Sequence, residues 1–327
     1  MNYQFQFEPY QRSFKTPLKT AYGIWETRSG IILSLTDEQG RIGWGEIAPL
    51  SWFGSETLED AIAFCQQLSS VISIETIFTI PDSLPACQFG FESAFMELNA
   101  NADVDLSQLQ YSGLLPTGET ALTVWEPLFQ QGYQTLKWKI GVDTITEEIN
   151  LFKQLIDKIT QTLETRFLEE TRFLSGTSKI RLRLDANGGL TFEQAQRWLE
   201  TCDLINADHK LIEVEFLEQP LSISQLELML ELSDRYSTPL ALDESVANFQ
   251  QLNSCYQQGW SDIFVIKPAI FGSPKILKNF CDTHQIDMVF SSVFETNIGQ
   301  QSALKLASEL LLYHRAVGFG INHWFIA

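Results

Sequence analysis

Five short segments, each ending an apolar run in a charged residue, constrain this chain more than anything else in it. They are Lys137 to Lys139 (Lys-Trp-Lys), Leu184 to Asn187 (Leu-Asp-Ala-Asn), Leu217 to Pro220 (Leu-Glu-Gln-Pro), Leu242 to Ser245 (Leu-Asp-Glu-Ser) and Ile266 to Pro268 (Ile-Lys-Pro). Glu218, Asp243 and Lys267 follow one another at intervals of 25 and 24 residues. A strand of about six residues, a helix and two short loops fill such an interval. Repeated βα units would then set Lys139, Asp185, Glu218, Asp243 and Lys267 around one rim of a parallel barrel. That rim, at the C-terminal strand ends, is where barrel enzymes keep their chemistry.

The rest of the pattern agrees. From about residue 110, strand patterns at 111–115, 135–140, 180–185, 211–217, 239–243, 262–267, 287–292 and 316–320 alternate with helical ones at 119–131, 146–163, 191–204, 222–236, 247–258, 273–284 and 297–312. Seven or eight βα units favour a barrel over an open sheet. Ahead of them, strand patterns at 2–14, 30–36 and 41–47 and helices at 56–71 and 89–100 predict an α+β domain of about 100 residues. The boundaries drawn are 1–105 for this domain, completed by about 313–327, and 106–312 for the barrel. Two connecting stretches, Thr16 to Thr27 and Pro49 to Ser55, read either as surface loops or as a lid over a ligand. Residues 164–174 repeat Glu-Thr-Arg-Phe-Leu and read as a helical extension ahead of the third barrel strand.

Composition excludes several roles. With 41 acidic and 22 basic residues the formal charge is −19, which repels phosphate backbones and anionic lipid. Nucleic acid and membranes are therefore not expected partners. The five cysteines show no paired spacing and fit reduced thiols. The first residues lack the basic and apolar regions of a leader, so a cytoplasmic location is expected.

Side-chain alternation assigns the rim. On the fourth barrel strand Ile212, Val214 and Phe216 share the phase of Glu218, which leaves Glu213 and Glu215 facing the outer helices. Three carboxylates converging from neighbouring strands repel one another. Either they belong to three separate salt bridges or a divalent cation joins them. Oxygen donors without histidine or cysteine nearby point to Mg²⁺, with Mn²⁺ an acceptable substitute, rather than Zn²⁺. Lys137 and Lys139 share a face, and inward lysines are costly unless paired or functional. Arg183 and Asn187 have the phase of Asp185. With Ser291, Ser292, Gly318 and Gly320 they form the candidate substrate-binding set, each with a structural alternative. The four histidines, His209, His284, His314 and His323, form no metal spacing.

In order and at these spacings, Lys-x-Lys, Asp-Ala-Asn, Glu-Gln-Pro, Asp-Glu-Ser and Ile-Lys-Pro resemble the enolase superfamily, in its muconate-lactonizing subgroup. The resemblance implies a modified TIM barrel, (β/α)7β, with an N-terminal α+β capping domain. It makes Asp185, Glu218 and Asp243 the Mg²⁺ ligands, Lys139 the acid/base, Lys267 the cation of the opposite face and Lys137 the neighbour that tunes Lys139. The 46-residue interval from Lys139 to Asp185 exceeds the family's usual spacing, and the 164–178 insertion absorbs the excess.

Epimerases of the subgroup carry Asp-x-Asp near the last strand, whereas residues 317–322 here contain no acid. The expected substrate is a small carboxylate with an apolar body. Within the subgroup the chain is most similar to the dehydratases of menaquinone and phylloquinone synthesis. N-acylamino-acid racemases, dipeptide epimerases and muconate cycloisomerases are the alternatives, and a barrel without catalysis is a more distant one.

Overall fold

A computed structural model describes residues 1–20, 23–100, 104–169, 179–320 and 325. The strands are β1 (Asn2–Thr20), β2 (Gly23–Thr36), β3 (Ile42–Ile47), β4 (Val71–Ser73), β5 (Ser112–Leu115), β6 (Thr135–Lys139), β7 (Ile180–Asp185), β8 (Ile212–Glu218), β9 (Leu240–Leu242), β10 (Ile263–Ile266) and β11 (Asp287–Phe290). The helices are α1 (Leu58–Gln67), α2 (Ile74–Phe78), α3 (Pro85–Leu98), α4 (Ala121–Gln130), α5 (Ile145–Glu169), α6 (Phe192–Asp208), α7 (Leu226–Arg235), α8 (Phe249–Gln257), α9 (Pro268–Phe271), α10 (Pro274–Thr283) and α11 (Asn297–Leu310). Backbone contacts divide the chain into two compact units. One contains residues 1–109, 246–254 and 265–327; the other contains 110–245 and 255–264.

In the first unit, antiparallel strands are ordered β3-β2-β1-β4. Alternation buries Ile31, Leu33 and Leu35 of β2 on one face, where Phe5 of β1 meets Phe91 of α3. Gly43 and Gly45 let α3 lie directly on β3: a Cβ at Gly45 would come within 2.0 Å of the Gly90 carbonyl oxygen. The stretch Thr16 to Thr27, expected as a loop, instead continues β1 and β2 as a long hairpin within the described residues, with a register irregularity between Ser13 and Leu18. Leu18 stands opposite Trp25 and Lys19 opposite Ile24, so the described part of the stretch is paired strand and not a connection. Pro49 to Ser55 contains a 3-10 turn at Ser51–Phe53. Phe14, Trp25, Trp52, Phe294 and Phe325 form a chain of ring contacts at 4.8 to 6.3 Å.

Buried acids hold this unit together. The Glu46 carboxylate accepts from Tyr10, from the backbone N–H groups of Thr296 and Gly299 and from the Thr296 hydroxyl, so it caps the start of α11. Glu295 is 1% exposed. Its Oε2 accepts from Ser292 Oγ at 2.8 Å and from Val293 N–H at 2.7 Å, while Oε1 has no hydrogen-bond partner among the described residues. Burial, reinforced by Glu46, pushes its carboxyl up to about 7. A raised folded-state value means that the native chain binds the extra proton between about pH 4.5 and 7. The stability this contributes is present below that window and lost as pH rises through it. Glu295→Gln should remove the dependence. In urea unfolding at pH 5 and pH 8, its stability relative to the parent chain should improve by about 3 kcal/mol at the higher pH. An unchanged difference would show that Glu295 stays ionised.

The larger sheet is ordered β11-β10-β9-β8-β7-β6-β5, and neighbours from β5 through β10 are parallel. The strand expected at 316–320 is reduced to a parallel bridge between Ser291 and Gly318. In the second unit the outward Trp138 of β6 stacks on Phe152 of α5 at 5.9 Å, and Trp198 of α6 packs edge-on against both rings. The expected extension is helical as far as Glu169, the last residue described before the gap, and 170–178 lie outside the described residues.

Candidate active site

The side chains singled out in sequence sit where strands end. Lys139 closes β6, Asp185 closes β7, Glu218 closes β8 and Asp243 follows β9. Lys139 stands opposite Asp185, and Asp185 opposite Glu218. Backbone bonds carry the ladder past the strands and keep these ends abreast: Ile140 N–H to Asp185 O, Ala186 N–H to Glu218 O and Gln219 N–H to Ala241 O, at 2.7 to 3.1 Å. Asp185, Glu218 and Asp243 are buried, and Lys139 is half-buried. A cleft of about 430 Å³ opens beside Lys139, lined also by Thr117, Glu119, Trp138, Val142 and Leu151.

The phase assigned to β8 needs correction. Leu182 stands opposite Val214 but Arg183 opposite Phe216, so β8 carries an extra residue, Glu215. The bulge reverses the alternation. Phe216 and Glu218 share the face of Arg183 and Asp185, while Ile212 and Val214 are on the other face. Glu213 and Glu215 therefore do not face the outer helices. Glu213 lies 3.7 Å from Arg181, and Glu215 Oε2 accepts from Arg183 Nε at 2.7 Å. Arg183, 1% exposed, is thus a partner of Glu215, and its guanidinium lies 4.9 Å from the Phe216 ring centre.

Lys137 is expected to tune Lys139. Its ammonium lies between two carboxylates, 2.7 Å from Glu218 Oε1 and 2.9 Å from Asp185 Oδ2. Burial alone would lower Lys137, but Asp185, Glu218 and Asp243 outweigh burial and hold it well above its usual range. Among the described residues no three His, Cys, Asp or Glu side chains converge closely enough to hold a metal ion by themselves. The donor chemistry nevertheless fits a hard dication. The three acids offer only oxygen, lie on successive strands and are already gathered around one positive charge.

Asn187 adopts φ 44°, which asparagine tolerates. Its N–H donates to Asp185 Oδ1 and its side-chain amide to Glu244 Oε1, both at 3.0 Å. Sequence reasoning missed Gln219, which is fully buried at φ 35°. Its Oε1 accepts from the N–H groups of Asp243 and Ser245, at 3.0 and 3.1 Å, and its Nε2 donates to the Ser245 hydroxyl at 2.7 Å. One glutamine thereby fixes the backbone that carries Asp243. The only sequence signal was its place between Glu218 and Pro220.

The remaining candidates lie in the first unit. Lys267 follows β10, with its Nζ 4.0 Å from the Phe53 ring centre. The Ser292 hydroxyl donates to Glu295 and accepts from Phe294 N–H. Gly318 N–H donates to Phe290 O, so it is used within the sheet, and a Cβ there would meet Ser291 Oγ at 3.0 Å. Ser291 and Gly320 are half-buried. His209 lies 3.4 Å from the Thr160 hydroxyl and His284 packs on Phe280; His323 lies outside the described residues. No described helix is long and apolar enough to cross a membrane, and all five cysteines are unpaired thiols.

The chain is similar to known proteins over nearly its whole length. A family model described as enolase C-terminal domain-like matches residues 123–313, and one described as the MenC N-terminal domain matches residues 10–98. The chain is 36% identical to an o-succinylbenzoate synthase of Thermosynechococcus vestitus, over 98% of this chain and 93% of that one. It superposes with TM-score 0.84 on the crystal structure of o-succinylbenzoate synthase from Thermosynechococcus elongatus BP-1, complexed with Mg in the active site, covering 99% of this chain and 95% of that one at 36% identity. An L-Ala-D/L-Glu epimerase of Bacillus subtilis is 24% identical over 92% of this chain and 82% of its own length. These matches, spanning cap and barrel alike, make the chain a member of the enolase superfamily, in the family of the o-succinylbenzoate synthases.

Proposed function

We propose that the chain dehydrates 2-succinyl-6-hydroxy-2,4-cyclohexadiene-1-carboxylate to o-succinylbenzoate, a step of menaquinone and phylloquinone synthesis, with Mg²⁺ as cofactor and in the cytoplasm. One observation carries the reading: Lys139, Asp185 and Glu218 end neighbouring strands side by side, and Asp243 directly follows the next one. The likeness of cap and barrel to o-succinylbenzoate synthases supports the choice of substrate. The catalytic barrel is assigned to 106–312, with 1–105 and 313–327 as its cap.

A proton next to a carboxylate is barely acidic, because its loss builds a second negative charge. Asp185, Glu218 and Asp243 would hold Mg²⁺, which supplies positive charge against the substrate carboxylate when bound. Lys137 keeps Asp185 and Glu218 in place, and Asn187 and Gln219 fix the backbone on either side. Lys139 takes the ring proton as general base, then returns it to the departing hydroxyl as general acid. Carbon–hydrogen and carbon–oxygen bonds break, water leaves, and the ring gains its third double bond. One residue in both roles makes the elimination syn. Lys267 offsets negative charge on the substrate from the opposite face.

The test is an ultraviolet assay of diene consumption run beside optical-rotation assays of N-acylamino acids. Formation of o-succinylbenzoate that stops on chelation of the metal is the expected result. Racemisation without dehydration would replace this reading with that of a racemase.

A further inference from the structure

We infer that Phe53 is a positioning residue for Lys267, its ring serving as the platform that holds the ammonium in working position. The inference rests on the proposed role of Lys267 as a cation that serves the reaction. The two residues are more than 200 positions apart in sequence, and both are half-buried. Lys267 Nζ lies 4.0 Å from the ring centre, well within the distance at which an aromatic face attracts a cation.

The main chain on each side of the contact is constrained. The loop bearing Phe53 is tied at its base by Arg28, whose guanidinium donates to the carbonyls of Ala48, Pro49 and Val293. Within the loop, Phe53 N–H donates to Leu50 O at 2.9 Å, and the Ser55 hydroxyl accepts from Leu50 N–H at 2.7 Å. Gly54 closes the turn at φ 109°, a conformation that a side chain would strain. Trp52 is held edge-on to Trp25 at 5.1 Å. On the other side, Lys267 is followed by Pro268, which begins α9, and the Lys267 carbonyl accepts from Ile270 N–H at 3.0 Å.

What the backbone leaves undetermined is the flexible stem of the lysine. A ring face suits that task better than a carboxylate. It attracts the ammonium without neutralising it, and it takes up none of its N–H donors. On this account the Pro49 to Ser55 loop does more than connect strands, because it carries the surface that aims Lys267.

Two measurements on the full-length protein test the inference. Lysines are methylated reductively with ¹³C, and Lys267→Arg identifies the Lys267 signal. In the parent chain that signal should be displaced upfield by the ring current of Phe53; it should return to the ordinary lysine position in Phe53→Leu and stay displaced in Phe53→Tyr. In unmethylated enzyme, Phe53→Leu should lower kcat about tenfold with little change in KM, the size expected for one lost cation–ring contact, and Phe53→Tyr should restore it. A signal at the ordinary position in the parent chain overturns the inference, as does full turnover in Phe53→Leu. If the signal is displaced but no diene is dehydrated by the parent chain, the dehydratase reading falls while the Phe53–Lys267 contact is upheld.

Discussion

Lys139→Ala should lower the rate of diene dehydration by about 10²–10⁴-fold, the range lost with a positioned general acid/base. The expected loss is large because both proton transfers are assigned to this one amine. The neighbouring Lys137 is not placed to replace it, since its ammonium is engaged by Asp185 and Glu218. The loss should appear in kcat and in kcat/KM together, as for an interaction made only in the transition state. Mg²⁺ binding should persist, because Lys139 is not a ligand in this assignment. Lys139→Arg should not rescue turnover, because a guanidinium does not release its proton near neutral pH. Near-normal turnover in Lys139→Ala would refute the assignment.

The second large effect is on stability. Lys137→Met should destabilise the metal-free protein by about 3 kcal/mol, because it leaves two buried carboxylates facing each other without their cation. The figure sits at the low end for a broken buried pair, since about a fifth of the Lys137 side chain is exposed (22%) and water screens part of the charge. Saturating Mg²⁺ should recover part of the loss by neutralising the same oxygens. Urea unfolding with and without the metal reads both effects. A variant as stable as its parent in the absence of metal would mean that the three acids are not gathered around Lys137.

The rim was legible in sequence because each of its charged residues closes an apolar strand, and because the last three repeat at the period of a βα unit. Direction within a strand was less legible. Glu215 enters β8 as one extra residue in the register, and nothing in Glu-Val-Glu-Phe marks a bulge, so alternation alone sent Glu213 and Glu215 outward when Arg181 and Arg183 receive them. The same limit applies to Arg183, whose phase was correct but whose partner lies 32 residues away. Gln219 could be recognised only from its left-handed backbone and buried amide, which are properties of the fold. The long hairpin of β1 and β2 was obscured because Gly23 and several polar residues resemble a loop until their cross-strand partners are known.

The central claim is that Asp185, Glu218 and Asp243 take up one hard dication. Thermal unfolding against Mg²⁺ concentration tests it most directly, in the parent chain and in Asp243→Ala. The account predicts a melting temperature that climbs with Mg²⁺ in the parent chain, equivalent to about 2.7 kcal/mol at a hundredfold excess over Kd, and that does not respond in the variant. Equal responses in the two proteins, or none in the parent, would contradict it.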